Sequence, residues 1–332
     1  MSMNDSNSTR VDLINIGLIL LSAILAFLLP FTLFLFAYAI VGPLHYLTEI
    51  NWLKDRSFFV TNNPMWLGLV IAATLVMTMP KLIIFLGGSS IDSENLIVEI
   101  LNVCSNPILL LCIWSAGVLT IVHDSKKQFI GLGLGVVVFA LSFLVPSYLL
   151  LLGLLIPTII HVYVFTILFM LYGAQKSNSQ LGYASVVMML CVPILLFTIN
   201  VDGSFYNIPS LVKTGFIDSG FHLTNIKLGK LLGVADGTSF FFYGSWELKL
   251  QRFIAFAYTY HYLNWFSKTA IIGWHKSLTG KTFWTIMALW LAMVSLFLID
   301  YRIGFFGALG LSFLHVLLEL PLNAISVKSI LK

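Results

Sequence analysis

The chain has 332 residues, of which 59% are hydrophobic and only 10% are charged, and its mean hydropathy is +0.96. Soluble domains carry about 25% charged residues, so this composition excludes an ordinary soluble protein. The net charge of +4 is modest. Because the basic residues form no stripe interleaved with aromatic residues, the sequence also argues against nucleic acid as a partner.

Apolar runs between polar breaks predict about nine membrane-spanning helices, some reaching the ~20 residues that a helix needs to cross the hydrocarbon layer. In chain order, the predicted spans are 14–41, 65–87, 97–122, 129–144, 149–172, 183–199, 253–266, 283–299 and 304–325. The fourth and fifth are separated only by the turn Pro146-Ser147-Tyr148, so residues 129–172 could instead be one broken or re-entrant element. The expected fold is all-α: a polytopic transmembrane bundle that forms one domain over residues 1–332.

The lysines and arginines of the short loops orient this bundle. With nine spans, one side of the membrane receives Lys54, Arg56, Lys126, Lys127, Lys176, Lys268, Lys276, Lys281, Lys328 and Lys332. The opposite short loops carry only Arg10 and Arg302. The first apolar run is too long for a cleaved signal and should remain as a span. We therefore expect a multi-pass protein of the cell membrane with its N-terminus outside and its C-terminus in the cytoplasm.

One long polar connection, residues 200–249, interrupts the spans, and span parity places it outside. Its stretch 211–232 has enough apolar residues to lie on the membrane surface, where it could cover the bundle as a lid. The three cysteines, Cys104, Cys112 and Cys191, lie in apolar spans without the spacing of a metal site and are interpreted as small buried hydrophobic residues.

Four histidines lie in or beside the predicted spans: His45, His161, His261 and His315. An imidazole in hydrocarbon is costly without a partner, so such residues are functional-site candidates. His161, His261 and His315 lie ~12–18 Å deep on three spans that run in the same direction, which predicts that they converge near the midplane. His45 lies deeper and joins them only if the first helix is tilted, or broken at Pro30 or Pro43.

A glutamate follows two of these histidines at i+4, on the same helix face: Glu49 after His45, and Glu319 after His315. A carboxylate there could share a metal or accept the ring N–H of a ligating histidine. Neutral imidazoles suit iron, copper or zinc, and an open position suits non-haem Fe(II), which can bind dioxygen. Any single histidine could equally be a packing residue, hydrogen-bonded to a neighbouring helix.

Aromatic residues crowd the same depth. Tyr260 and Tyr262 flank His261 and are the predicted catalytic residues, with hydroxyl groups that orient the polar end of a long apolar substrate. The alternative interpretation is helix packing within an aromatic belt. The other histidines, His123, His222 and His275, are interpreted as solvated or interfacial.

The segments GPLHYLTE around His45 and AYTYHYLNWF around His261, on a multi-histidine membrane chain, resemble the Brp/Blh beta-carotene 15,15'-dioxygenases. In that family the first histidine resembles a pattern Gly-Leu-Pro-His-Gly-Ala that is followed by Asp. In this chain the corresponding residues are Gly-Pro-Leu-His, and Glu49 follows four residues after the histidine. The family's two histidines four residues apart are missing, so His315 with Glu319 would replace them. The resemblance implies iron, dioxygen and a polyene or lipid-like substrate.

The sequence thus favours a non-haem Fe(II) oxidoreductase that takes a hydrophobic small molecule from the membrane lipid. Two other functions stay open. A haem b protein needs two axial histidines, for which His161 and His261 could serve. A proton-coupled transporter would use the histidines and glutamates as a proton relay. The oligomeric state is left open.

Overall fold

The computed structural model describes residues 3–60, 63–87, 95–144 and 155–331. All the regular secondary structure within these residues is helical. The all-α prediction is therefore confirmed. The predicted turn Pro146-Ser147-Tyr148 lies outside the described residues. The segments on either side of it fold as separate helices.

The main helices are numbered in chain order: α1 (Met3–Leu28), α2 (Pro30–Asp55), α3 (Pro64–Gly87), α4 (Leu96–Ile121), α5 (Ser125–Ser142), α6 (Ile156–Ser177), α7 (Gln180–Thr198), α8 (Ser210–Asp218), α9 (His222–Leu231), α10 (Ser245–Ser267), α11 (Gly280–Ile299) and α12 (Tyr301–Ile330). Within the described residues, nine of these are long and apolar enough to cross a membrane: α1 to α7, α11 and α12. The chain is a multi-pass helical protein.

The structure corrects the first predicted span. The apolar run 14–41 is not one helix, because the backbone breaks at Leu29, where φ is −135° and ψ is 52°, and α2 begins at Pro30. Proline lacks an N–H and therefore fits the first turn of a helix. The predicted span 253–266 lies in α10, which is too polar to be counted among the nine apolar helices.

The described helices form two compact units. The first contains Met1–His45 and Val162–Phe305, and the second contains Tyr46–His161 and Phe306–Lys332. In the first unit, α10 packs against α1, α2 and α7, and most of its residues are buried. These neighbours shield the polar side chains of α10, which must find their partners inside the protein.

Arg252 is the buried cation of α10. Its Nε donates to the Tyr206 hydroxyl at 2.8 Å, its Nη1 donates to the Ile199 carbonyl at 2.9 Å, and its guanidinium lies 4.6 Å from the centre of the Phe27 ring. Ile199 caps the C-terminus of α7, and Tyr206 donates to the Phe27 carbonyl near the end of α1. A cation is stabilising at helix C-termini, so Arg252 ties two helix ends to α10.

In the second unit, α3 packs on α4 and α4 packs on α5. The Trp114 indole donates to the Gly131 carbonyl at 2.7 Å, and a Cβ at Gly135 would lie 2.6 Å from the Trp114 ring. Small residues thus let α5 approach α4 closely, as is common between membrane helices. Of the cysteines, Cys112 is buried as expected, whereas Cys191 is exposed.

The segment 200–249 contains α8 and α9 and belongs to the first unit. Phe216 of α8 is fully buried, with its ring centre 5.0 Å from that of Phe31 in α2, and Phe221 lies 4.8 Å from Phe34. Leu211 and Leu232, at the two ends of the proposed lid, are exposed. Aromatic contacts therefore fix this segment to the start of α2, and the lid role stays a prediction.

Replacing Arg252 with leucine is expected to lower the stability of the first unit by roughly 1–3 kcal/mol, because the Ile199 carbonyl and the Tyr206 hydroxyl lose their donor. Thermal unfolding of the purified protein in detergent measures this loss. The matched control is Arg10→Leu, which removes an exposed arginine. Equal unfolding temperatures for the two variants would contradict the assigned role.

Candidate metal centre

The structure brings the four intramembrane histidines together. His45 lies in α2, His161 in α6, His261 in α10 and His315 in α12, with exposed fractions of 1%, 1%, 8% and 2%. One ligand atom from each ring lies within 4.8 Å of the corresponding atoms of the other three. The predicted convergence of His161, His261 and His315 is present, and His45 joins it on a helix that begins at the break before Pro30.

Two of these histidines lie in, or shortly after, a π-helical segment. A π-helical turn, Ala37–Val41, precedes Gly42 and Pro43 in α2, and His161 lies within the π-helical segment Ile156–Phe165 of α6. A π-turn holds an extra residue, so it changes which face of the helix the following side chains occupy, and it is common at functional sites. Sequence periodicity at 3.6 residues per turn does not reveal this change.

His161 and His315 form a close pair in the second unit. Their Nε2 atoms lie 3.1 Å apart. The Nδ1 of His161 lies 2.9 Å from Glu319 Oε2, and the Nδ1 of His315 lies 3.4 Å from the Leu311 carbonyl oxygen. The Tyr46 ring stacks on His315 with 4.2 Å between ring centres.

The neighbours of the two Nδ1 atoms determine which nitrogen carries the proton. A carboxylate and a carbonyl accept hydrogen bonds, so protons on the two Nδ1 atoms would leave both Nε2 atoms with lone pairs. Two lone pairs 3.1 Å apart repel each other unless a positive charge lies between them, either a shared proton or a metal ion. A ligating histidine has this arrangement: one nitrogen binds the metal and the other donates its proton to an acceptor.

His261 has the same tautomer in the first unit. Its Nδ1 lies 2.8 Å from Thr166 Oγ1, and the Thr166 hydroxyl donates its own proton to the Val162 carbonyl at 3.0 Å. The threonine oxygen is then the acceptor for the His261 proton, a tautomer in which the Nε2 of His261 carries a lone pair. Sequence reasoning missed Thr166, because a threonine in an apolar helix carries no signal of its partner on another helix.

His45 completes the cluster through its ring contacts. Its ring centre lies 4.8 Å from that of His261, 5.2 Å from Tyr262 and 5.7 Å from Trp265. Aromatic rings at these separations restrict the orientation of the imidazole.

The two predicted carboxylates are buried, with exposed fractions of 2% for Glu49 and 3% for Glu319. Glu319 lies one turn after His315 on α12, yet its carboxylate reaches His161 on α6. Glu49 interacts electrostatically with Glu319. Two neighbouring carboxyl groups in an apolar interior can both be ionised only with a compensating positive charge, which a divalent metal ion would supply.

The two predicted catalytic tyrosines occupy different places. The Tyr262 ring contacts His45 and lies 5.6 Å from His261. Tyr260 is fully buried, and its hydroxyl lies 3.4 Å from both Asn15 Oδ1 and Met170 Sδ. Tyr262 is therefore positioned at the histidines, whereas the Tyr260 hydroxyl lies in a polar contact with α1.

The remaining histidines lie outside the cluster. His123 and His275 are exposed, and His222 of α9 is half-buried against Phe240, with 6.0 Å between ring centres. Burial lowers the pKa of His222. These positions agree with the interpretation of the three residues as solvated or interfacial.

No protein-family model, no curated protein and no solved structure matches this chain. The function must therefore be argued from the site itself. Four buried imidazoles are a ligand set for a metal ion, and nitrogen donors of this kind suit iron, copper or zinc.

Replacing His315 with alanine is expected to abolish tight metal binding, because it removes one nitrogen of the close pair. Titration of the metal-free protein with Co²⁺, followed by its visible absorption, measures the affinity. His275→Ala is the matched control and should bind like wild type. Equal affinity in both variants would mean that the close pair is not a ligand pair.

Replacing Thr166 with valine is expected to weaken Co²⁺ binding by about 10- to 100-fold, because His261 loses the acceptor that fixes its tautomer. The variant Thr166→Ser keeps the hydroxyl and should retain most of the affinity. If serine and valine weaken binding equally, the effect comes from packing and the tautomer argument fails.

Proposed function

We propose that this protein is a membrane-embedded oxidoreductase that holds non-haem Fe(II) with His45, His161, His261 and His315. The observation that supports this most is the 3.1 Å separation of the Nε2 atoms of His161 and His315, which would hold one ion between them if both Nδ1 atoms carry the ring proton. Fe(II) in a site of imidazoles with open positions binds dioxygen and supplies an oxidising centre.

The close pair fits two neighbouring ligands of one ion. Metal–imidazole bonds of ~2.0–2.2 Å place Nε2 atoms 3.1 Å apart at an angle of about 95°. Such an angle is typical of adjacent positions around a five- or six-coordinate ion. Four histidines then leave at least one position for dioxygen or substrate.

The close pair does not fit the two axial ligands of haem b. Such ligands bind on opposite faces of the porphyrin, so their nitrogens lie ~4 Å apart, whereas the Nε2 atoms of His161 and His315 are 3.1 Å apart. The other candidate pair, His161 and His261, has ligand atoms within 4.8 Å of each other, so the presence or absence of a Soret band decides whether these two histidines hold a haem.

The surrounding groups have distinct tasks in this proposal. Thr166 and the Leu311 carbonyl would accept the Nδ1 protons of His261 and His315, and Glu319, at ion-pair distance, would orient the ring of His161, so that the Nε2 atoms of these three residues point toward the metal. The charges of Glu319 and Glu49 balance the charge of the ion. Burial of all four histidines keeps water from the oxidising centre.

The substrate that suits this site is a hydrophobic molecule from the membrane, such as a polyene or another lipid. Tyr46, Tyr262 and Trp265 contact the ligating rings and provide an apolar, aromatic environment. The resemblance to the Brp/Blh beta-carotene dioxygenases points to the same class of substrate. Tyr262 would orient its polar end, while Tyr260 would act indirectly, through the position of α10.

We also propose that both termini lie in the cytoplasm. The Ser179 hydroxyl donates to the Asp12 carboxylate, and Asp12 interacts electrostatically with Lys268. The start of α1 therefore lies beside two loops that the positive-inside rule places in the cytoplasm. Because residues 14–41 form two helices and not one span, the predicted side of the N-terminus changes from outside to inside. If α10, with 23 residues, also crosses the membrane, the C-terminus stays cytoplasmic.

Iron dependence is the direct test. Protein purified without oxygen should contain stoichiometric iron and show no haem Soret band. It should consume dioxygen when a carotenoid polyene is added in detergent. His161→Ala should lose iron and oxygen consumption together, whereas Glu319→Gln should weaken iron affinity by about 10- to 100-fold.

The competing functions give different results in the same experiments. A Soret band that disappears in His161→Ala would support the haem alternative. Metal-free protein that moves protons in liposomes, and loses this activity in Glu319→Gln, would support the transporter. His275→Ala should behave like wild type throughout.

Reporters fused to each terminus test the topology. A reporter active only in the cytoplasm should be active at both ends, and one active only outside should be inactive at both. Activity of the outside reporter at the N-terminus alone would restore the nine-span arrangement.

A further inference from the structure

The second unit contains a cavity of about 370 Å³ where α4 and α12 end. One part of its lining is apolar and includes Phe59, Val60 and Leu119. Another part is polar and includes His123, Lys328 and Ser329. The cavity therefore combines a hydrophobic wall with a cationic one.

A left-handed turn shapes the hydrophobic wall. Three consecutive residues other than glycine, Ser57, Phe58 and Phe59, have positive φ angles of 50°, 51° and 56°. This conformation is costly for residues with a Cβ and persists only where other contacts enforce it. The Phe59 ring packs on Trp52 with 5.6 Å between ring centres, and the Arg56 guanidinium lies over the same indole. The turn thus holds an aromatic ring in the cavity wall and a cation nearby.

The cationic wall has donors for an anion. The Lys328 ammonium group lies 3.5 Å from the carbonyl of Ile121, the last residue of α4, and an ammonium group has three N–H donors. His123 follows two residues after Ile121 and is exposed. Among the described side chains that line the cavity, none is acidic.

The charges beside the cavity have the same sign overall. Lys126 and Lys127 lie in the first turn of α5, and the Asp124 carboxylate is engaged by the Lys127 backbone N–H at 2.9 Å as the helix cap. Basic pockets at the cytoplasmic ends of membrane helices bind the headgroups of anionic lipids.

Ser329 adds an acceptor. Its hydroxyl donates to the Ile325 carbonyl at 2.8 Å, so its oxygen is left to accept a hydrogen bond from a ligand. A phosphate oxygen cannot donate such a bond, whereas a hydroxyl group on a lipid headgroup can. This favours a headgroup that carries free hydroxyl groups.

We infer that this cavity binds an anionic glycerophospholipid with a hydroxylated headgroup, such as phosphatidylglycerol. Lys328 and His123 hold the phosphate, Ser329 accepts from a headgroup hydroxyl, and an acyl chain lies along Phe59 and Val60. Inorganic phosphate shares only the phosphate chemistry and does not use the apolar wall. The inference does not depend on the metal centre.

The test uses the full chain purified in a neutral detergent and titrated with dioleoylphosphatidylglycerol at fixed ionic strength, with bound lipid counted by native mass spectrometry. Lys328→Gln and His123→Gln should each weaken lipid binding by about five- to tenfold. Lys328→Arg keeps the charge and should retain binding. The matched control is Lys176→Gln, which removes a lysine from the last turn of α6, in the first unit.

Dioleoylphosphatidylcholine, which has no net charge, should bind more weakly than the anionic lipid, and millimolar inorganic phosphate should not displace that lipid. Equal binding of both lipids, or equal affinity in Lys328→Gln and Lys176→Gln, would overturn the inference. Displacement by inorganic phosphate would also overturn it, in favour of a soluble phosphate ligand. Unchanged thermal unfolding in the variants shows that they are folded.

Discussion

The positions of two imidazole nitrogens are the central constraint on this structure. The Nε2 atoms of His161 and His315 lie 3.1 Å apart, and the Nδ1 of each ring faces an atom that only accepts hydrogen bonds. Lone pairs that face each other in an apolar interior need a positive charge between them. The buried carboxylate of Glu319 increases that need. The proposal of a metal centre depends on this arrangement.

The helices that carry the histidine cluster have irregular backbones or polar sequences. The break at Leu29 and the π-turn Ala37–Val41 let α2 carry His45 to the other three rings, and a second π-segment carries His161. α10 provides His261 and is polar for a membrane helix, but its neighbours shield it. Irregular or polar helices cost stability, and they are tolerated in membranes where protein surrounds them.

Three groups of charged side chains in this protein are stabilised by different partners. In the proposed metal centre, carboxylates and imidazoles lie together, so one ion would compensate several groups. Arg252 instead binds carbonyl oxygens near the ends of α1 and α7, partly through Tyr206, and packs on Phe27. Lys328 is only partly buried near the end of α12, and in the proposed lipid site a phosphate would neutralise it. In each case the partner carries either the opposite charge or the lone pairs that stabilise the charged group.

Hydropathy and the depth of each residue along a span follow directly from the order of residues in the chain. For that reason the sequence by itself determined the all-α membrane fold, most of the spanning helices and the meeting of His161, His261 and His315. The break that divides residues 14–41 was marked only by Pro30, within a run that is apolar on both sides. The sequence predicted Glu319 as a ligand or an acceptor, but its pairing with His161 and the pairing of Thr166 with His261 were decided by the tertiary structure alone, because each lies on a different helix from the histidine that it contacts. Which side chains meet across helices depends on how each helix is rotated about its axis and where its π-turns fall. That rotation is set by packing between segments far apart in sequence, which no local pattern records.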